Sequence, residues 1–305
     1  MVFMFVDADA DPIDKPLPAR AVGVDFGFRM VQSPDVHSVG DDARSQLLRV
    51  ATVVGGDGAK VHITLPSDLV GKFHHAAELR GELDRIANDF WLAHGPLFTE
   101  DVLGAMSEDE WLRVLVQKAK RARQPYASLM LSIVRAHAEQ PVLGEAVNNA
   151  MAAWGRRARR LTVATYGTRR RAVERRNHLF RNAAARLVAE CGFLALKNTA
   201  FAALARLVSE DGSTENPLHA AARANRVIAS PALLRAAIVL AAKREQRELV
   251  LVDPKDTTLE CSQCGHRHGG SIADLIFVCD SCHAVHDQDE NSALICLKRA
   301  LESNA

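Results

Sequence analysis

The sequence predicts an α/β protein in which a mixed sheet is interrupted by a long helical insertion. Three observations predict it. Residues 21–29 (AVGVDFGFR), 46–54 (QLLRVATVV) and 60–65 (KVHITL) are short apolar runs of strand character, and the turn sequence GGDGA joins the last two as a hairpin. From about 67 to 191 the chain becomes rich in Ala, Leu, Arg and Glu, with helical apolar spacing such as Leu112, Val116, Leu129 and Ile133. Beyond Gly192, short apolar runs return at 193–196 (FLAL) and 248–252 (ELVLV), and a last helix is expected from about 290 to 302.

Local signals set the boundaries. Pro96, Pro125 and Pro141 divide the helical stretch into several helices. SEDGSTENP at 209–217 is expected to be a loop. Ser230-Pro231 reads as a helix start, with Ser as N-cap and Pro in the first turn. The resulting order is three strands, helices, strand, helix, strand, a cysteine segment and a helix. Without its insertions, that is the order of an RNase H-like fold.

Composition narrows the class. With 305 residues, 48% hydrophobic and 25% charged, the chain can bury a core. The net charge of +1 points to no partner class. No run approaches the roughly 20 apolar residues of a membrane helix. Asp7, Asp9 and Asp11 follow the apolar start at once, so no signal peptide is expected. The expected location is the cytoplasm with no membrane partner. Thiols stay reduced there, so six cysteines point to metal ligands or buried thiols.

Four of the six have metal-ligand spacing. Cys261, Cys264, Cys279 and Cys282 form C-x-x-C, fourteen residues, then C-x-x-C. Each C-x-x-C turn aims two thiolates at one ion, and two such turns close a tetrahedral shell. The pattern predicts a zinc ribbon with a structural Zn2+, since a closed four-thiolate site leaves no open position. His266, His268, His283 and His286 lie close by and are read as surface or nucleic-acid-facing. Cys191 and Cys296 sit at apolar positions and are expected to be buried.

Two acids stand out. Asp25 lies inside the apolar strand V-G-V-D-F-G, where a carboxylate is costly without a metal or partner. Asp289 lies in H-D-Q-D-E-N-S-A, just before the last helix. Two-metal nucleases need carboxylates converging from different elements.

These residues together resemble the RuvC domains of type V CRISPR effectors and their transposon-encoded TnpB-like relatives. The resemblance rests on Gly23-Val24-Asp25-Phe26-Gly27, on the run from Ala229-Ser230-Pro231 to Gly265, and on Asp287-Gln288-Asp289-Glu290-Asn291-Ser292-Ala293 after the ribbon. It covers about 15–35 and 165–305. It implies a RuvC-like α/β fold of the RNase H type with a helical insertion and a C-terminal zinc ribbon. It makes Asp25 and Asp289 the catalytic positions of a metal-dependent endonuclease. It also implies guide RNA and target DNA as partners, with Mg2+ only if the site is active. The implied divisions are 1–20, the end of a wedge-like domain and linker; 21–66, the first part of the RuvC domain; 67–150, the helical insertion; 151–256, the second part; 257–286, the target nucleic-acid-binding ribbon; and 287–305, the last helix.

One position departs from the pattern. The middle carboxylate of such domains ends the strand at 193–196, and the matching residue here is Lys197. A cation there removes one negative charge and adds a positive one, so the expected protein binds without cutting. The alternatives are an active nuclease completed by Glu190 or Glu210, and a guide-free zinc-ribbon protein of transposon origin. The wedge and recognition lobe that precede such domains are expected in cis, upstream, or in trans on another chain.

The segment 156–186 holds eleven Arg and one Glu. Arg156, Arg157, Arg159, Arg160, Arg169, Arg170, Arg171, Arg175 and Arg176 are the predicted nucleic-acid contacts, because guanidinium forks suit phosphate and release counterions. His178 is read as a packing or phosphate contact.

Overall fold

The structure is a computed structural model that describes residues 2–3, 21–32, 46–107, 110–122, 125–201, 220–267 and 275–303. The expected loop at 209–217, with Glu210, lies outside the described residues, as does His268. The chain folds as two compact units, one of 1–70 with 173–305, the other of 71–172.

The first unit is built on a mixed sheet. Its strands are β1 (Val2–Phe3), β2 (Ala21–Gln32), β3 (Gln46–Gly55), β4 (Lys60–Leu65), β5 (Phe193–Lys197) and β6 (Glu248–Val252), in the order β1-β4-β3-β2-β5-β6. β2, β3 and β4 form an antiparallel meander, while β5 and β6 add in parallel. The meander forms for local reasons. β-branched residues fill the runs, and Gly58 at φ 80 takes the left-handed position of the turn. Val22, Val24, Leu48, Val53 and Leu196 are fully buried. The register of β2 on β3 shifts between Phe26 and Arg29, a bulge next to Asp25.

Val2 and Phe3 of β1 pair in parallel with His62 and Ile63 of β4, covering amides that an edge strand leaves open.

The last helix, α8 (Gln288–Ser303), crosses the sheet over β2. A Cβ on Gly23 would lie 1.9 Å from the Ala293 carbonyl oxygen, so only glycine allows this approach. Before it run α6 (Ala220–Ala229) and α7 (Pro231–Arg244). Ser230 between them corrects the expected N-cap. It sits in the left-handed region at φ 42 and makes no side-chain cap. Its Oγ donates back to the Val227 carbonyl at 2.8 Å, because α6 runs directly into it. By length and composition alone Ala221–Arg244 is apolar enough to cross a membrane, which the sequence reading does not anticipate. It is broken at Ser230, and α7 buries Leu234, Ile238 and Ala242.

The second unit is helical. It holds most of α1 (Ser67–His94), then α2 (Glu100–Gly104), α3 (Trp111–Arg121), α4 (Ala127–Glu139) and the first part of α5 (Glu145–Glu190). Its core contains Ile86, Phe98, Leu112, Met130, Ile133 and Trp154, and Trp154 Nε1 donates to the Ile86 carbonyl at 3.0 Å. This unit ends at 172, within α5, a helix of 46 residues.

Candidate functional site

Asp25, near the centre of β2, is 3% exposed and beside Lys197 at the end of β5. Parallel pairing sets this up, since Val24 is the register partner of Leu196. Lys197 Nζ stands 3.1 Å from Asp25 Oδ1 and donates to Ser292 Oγ of α8 at 2.9 Å. Burial pushes the Asp25 carboxyl up to about 6, with Lys197 pulling the other way and the Asp289 carboxylate adding to the rise.

Asp289 occupies the first turn of α8, but it does not cap it. Asp287 does, accepting the Asp289 amide at 2.9 Å and the Glu290 amide at 3.3 Å. That leaves the Asp289 carboxylate to meet Arg49 of β3, whose NH2 lies 2.6 Å from Oδ2. Arg49 NH1 reaches Asp287 Oδ2 at 3.1 Å, and Arg29 Nε lies 3.7 Å from Asp289 Oδ1. Arg49 is itself 5% exposed. Burial opposes its charge, but the Asp289 and Asp287 carboxylates outweigh that and raise its affinity for the proton.

The carboxylates of Asp25, Asp287 and Asp289 are therefore matched by Lys197, Arg49 and Arg29. Sequence reasoning finds Lys197 and misses both arginines. A signal exists: Arg49 interrupts Q-L-L-R-V-A-T-V-V just as Asp25 interrupts its own strand. Glu190, the acid that could replace Lys197, instead pairs with Arg186 at 3.0 Å at the end of α5.

The four cysteines come together. Their sulfurs lie within 4.8 Å of one another, with Cys261 and Cys282 at 3.7 Å and Cys264 and Cys279 at 3.6 Å. Both turns use one hydrogen-bond pattern. Cys261 N donates to His266 O and Gly265 N to Cys261 O; Cys279 N donates to Ala284 O and His283 N to Cys279 O. Gly265 and His283 hold equivalent left-handed positions, at φ 75 and 56. The backbone amides of Cys282 and Ser281 hold the Cys279 thiol down at about 6. His286 Nε2 lies 3.4 Å from Cys261 Sγ, so this histidine faces the cluster rather than the surface. A short hairpin of β7 (Ile276–Val278) and β8 (Val285–Asp287) joins the second turn to α8.

The cluster is fastened to α8 through Asn291. Its Oδ1 accepts the Ser262 amide at 2.7 Å, and its Nδ2 donates to the Glu260 carbonyl at 2.7 Å. The asparagine of D-x-D-x-N is thus a structural link between the cysteine turn and the helix that carries Asp289. Cys191 and Cys296 are buried, and burial pushes both thiols up to about 12.

The arginines separate into two groups. Arg156, Arg159, Arg160, Arg169, Arg170 and Arg171 are exposed along α5. Arg157 pairs with Glu82 at 3.1 Å, and Arg175 pairs with Asp68. Arg176 is a correction: it is buried, and its NH1 donates to the carbonyls of Val227 and Ile228 at the end of α6. A guanidinium used to cap a helix C-terminus is not presented to phosphate. His178 is exposed and within 3.2 Å of Asn182 Nδ2.

Fold and site define a RuvC-like nuclease fold with a cysteine ribbon docked on its last helix. A sequence profile of the family described as Cas12f1-like, TNB domain matches residues 233–296, from α7 through both cysteine turns into α8. The CRISPR-associated DNA-binding protein Cas12m of Allomeiothermus silvanus is 30% identical over 100% of this chain and 53% of its own length. Its namesake from Pelobacter propionicus is 28% identical over 81% of this chain and 36% of its own. A solved Cas12f1–sgRNA–target DNA complex aligns loosely, at a TM-score of 0.37 and 14% identity over 94% of this chain and 52% of that one. The chain resembles the RuvC-and-ribbon half of type V CRISPR effectors, and it spans about half the length of the first of these curated relatives.

Proposed function

We propose that this chain is the RuvC and ribbon half of an RNA-guided effector that holds target DNA without cutting it. The observation that carries the reading is the pairing of both catalytic-position carboxylates with buried cations, Asp25 with Lys197 and Asp289 with Arg49. Cleavage by two metals needs carboxylates free to coordinate two divalent ions. Here the ammonium and guanidinium groups stand where those charges would be needed. A divalent ion about 4 Å from a cation meets about 8 kcal/mol of repulsion at an effective dielectric near 20. The residues do not fit a pair of Mg2+ ions. Direct calorimetric titration with Mn2+, a stronger-binding stand-in, tests this: the wild-type chain should show no stoichiometric site at the RuvC cluster, and tight binding abolished by Asp25→Asn would refute it.

The cysteine cluster fits zinc. A tetrahedral shell with Zn–S bonds of about 2.3 Å has edges of about 3.8 Å, against the observed 3.6 and 3.7 Å. Four thiolates leave no ligand position open, so the zinc would hold the ribbon and take no part in a reaction. The exposed arginines of α5 would carry the phosphate contacts with guide RNA and target DNA, in concert with a wedge and recognition lobe. The names of the Cas12m relatives, which describe DNA binding, support this assignment.

A further inference from the structure

Helix α5 carries one exposed stripe that is not purely basic. Arg156, Arg159, Val163, Tyr166 and Arg170 follow one another at alternating spacings of three and four, which places them on one face. All five are exposed, while the opposite face buries Trp154, Ala158, Thr165 and Ala172. In the middle of the arginines, Val163 is 73% exposed and Tyr166 is 66% exposed. Between Arg156 and Arg170 the sequence has no carboxylate, and the first acid on this face is Glu174, one turn beyond Arg170. Two large apolar side chains left open between guanidinium groups are unlike a solvated helix face, where charges of both signs alternate.

We infer that Tyr166, supported by Val163, is a base-stacking residue, and that the stripe binds single-stranded nucleic acid with an unstacked base on the phenol ring. This rests on the proposed nucleic-acid role of the α5 arginines. At 1.5 Å per residue Arg159 lies about 10 Å to one side of Tyr166 and Arg170 about 6 Å to the other. The two guanidinium groups thus hold phosphates on both sides of a nucleotide whose base lies on the ring. Duplex bases stack on each other and offer no face, so the stripe selects unpaired strand. Stacking is a short-range contact that releases no counterions, whereas each arginine–phosphate contact does. The two contributions therefore differ in their response to salt.

The experiment measures anisotropy of labelled single-stranded RNA and DNA of one mixed sequence, and of the matching duplex, across a NaCl series. It uses the full chain and the variants Tyr166→Ala and Tyr166→Phe. Tyr166 is exposed on a helix that alanine favours, and far-ultraviolet circular dichroism checks the fold. Tyr166→Ala should weaken single-strand binding about tenfold with the salt slope unchanged. Tyr166→Phe should retain most of the affinity, and duplex binding should change less than twofold. RNA and DNA arms then say which strand the stripe prefers. A Tyr166→Ala affinity within twofold of wild type, or an equal loss on duplex, overturns the stacking role. A wild-type affinity that ignores salt overturns the arginine reading itself, and the stacking proposal with it.

Discussion

Lys197 Nζ lies 3.1 Å from Asp25 Oδ1, a buried ion pair between the neighbouring strands β5 and β2. Its energetics follow from burial. Both side chains are nearly out of water, so each needs the other to offset desolvation. Lys197→Met would leave the Asp25 carboxylate uncompensated and should destabilise the chain by about 3–5 kcal/mol in urea denaturation. The double variant Asp25→Asn/Lys197→Met should recover much of that loss. Additive losses would show that the two residues do not act as a pair.

The cysteine quartet should make folding of the ribbon depend on metal. Purified protein should carry one equivalent of zinc, and Cys261→Ser/Cys279→Ser should carry little. Treatment with a strong chelator should expose the 257–286 region to protease while the β2–β5 core stays protected. Elemental analysis giving less than half an equivalent in wild type would contradict the assignment.

The two groups of arginines should separate by experiment. Arg169→Ala/Arg170→Ala/Arg171→Ala should weaken binding and flatten its salt dependence, by a slope of roughly one per lost phosphate contact. Arg176→Ala should lower the melting temperature instead, because it strips the donor from the Val227 and Ile228 carbonyls. Its salt slope should match wild type.

His62 should make the fold acid-sensitive. Burial, with the Arg49 guanidinium next, holds its imidazole down to about 4. The unfolded chain takes up that proton near 6.5 and the folded chain only near 4. Stability from this residue is present above about 6.5 and is lost as pH falls towards 4, by at most about 3 kcal/mol. His62→Gln should flatten urea-denaturation stability between pH 6.5 and 4.5. An unchanged slope would assign the acid response elsewhere.

Much of this is legible in the sequence where the signal is local. The β3–β4 hairpin follows from strand runs around GGDGA, and the cysteine cluster from two C-x-x-C turns. Lys197 is legible because its strand ends at a position that the resemblance marks. Other features depend on distant pairing. Arg49 matters only because α8 brings in Asp289, 240 residues further along, and no local pattern records that meeting. Arg176 belongs to a run of identical side chains, and only the approach of α6 separates it from its neighbours. Ser230 looks like a cap because Ser-Pro starts helices. The preceding helix reaches it first and forces a left-handed turn.

The central claim is that this nuclease fold holds DNA without cutting it. The most direct measurement is magnesium-dependent cleavage of target DNA by the complete guide-loaded effector, run beside target binding in the same samples. Wild type, Lys197→Glu and Asp25→Ala should be compared. Lys197→Glu gains cleavage only if Arg49 also releases Asp289, so Lys197→Glu/Arg49→Ala completes the set. The account predicts that wild type and Asp25→Ala bind target DNA alike and that neither cleaves it. Efficient cleavage by wild type that Asp25→Ala abolishes would contradict the account.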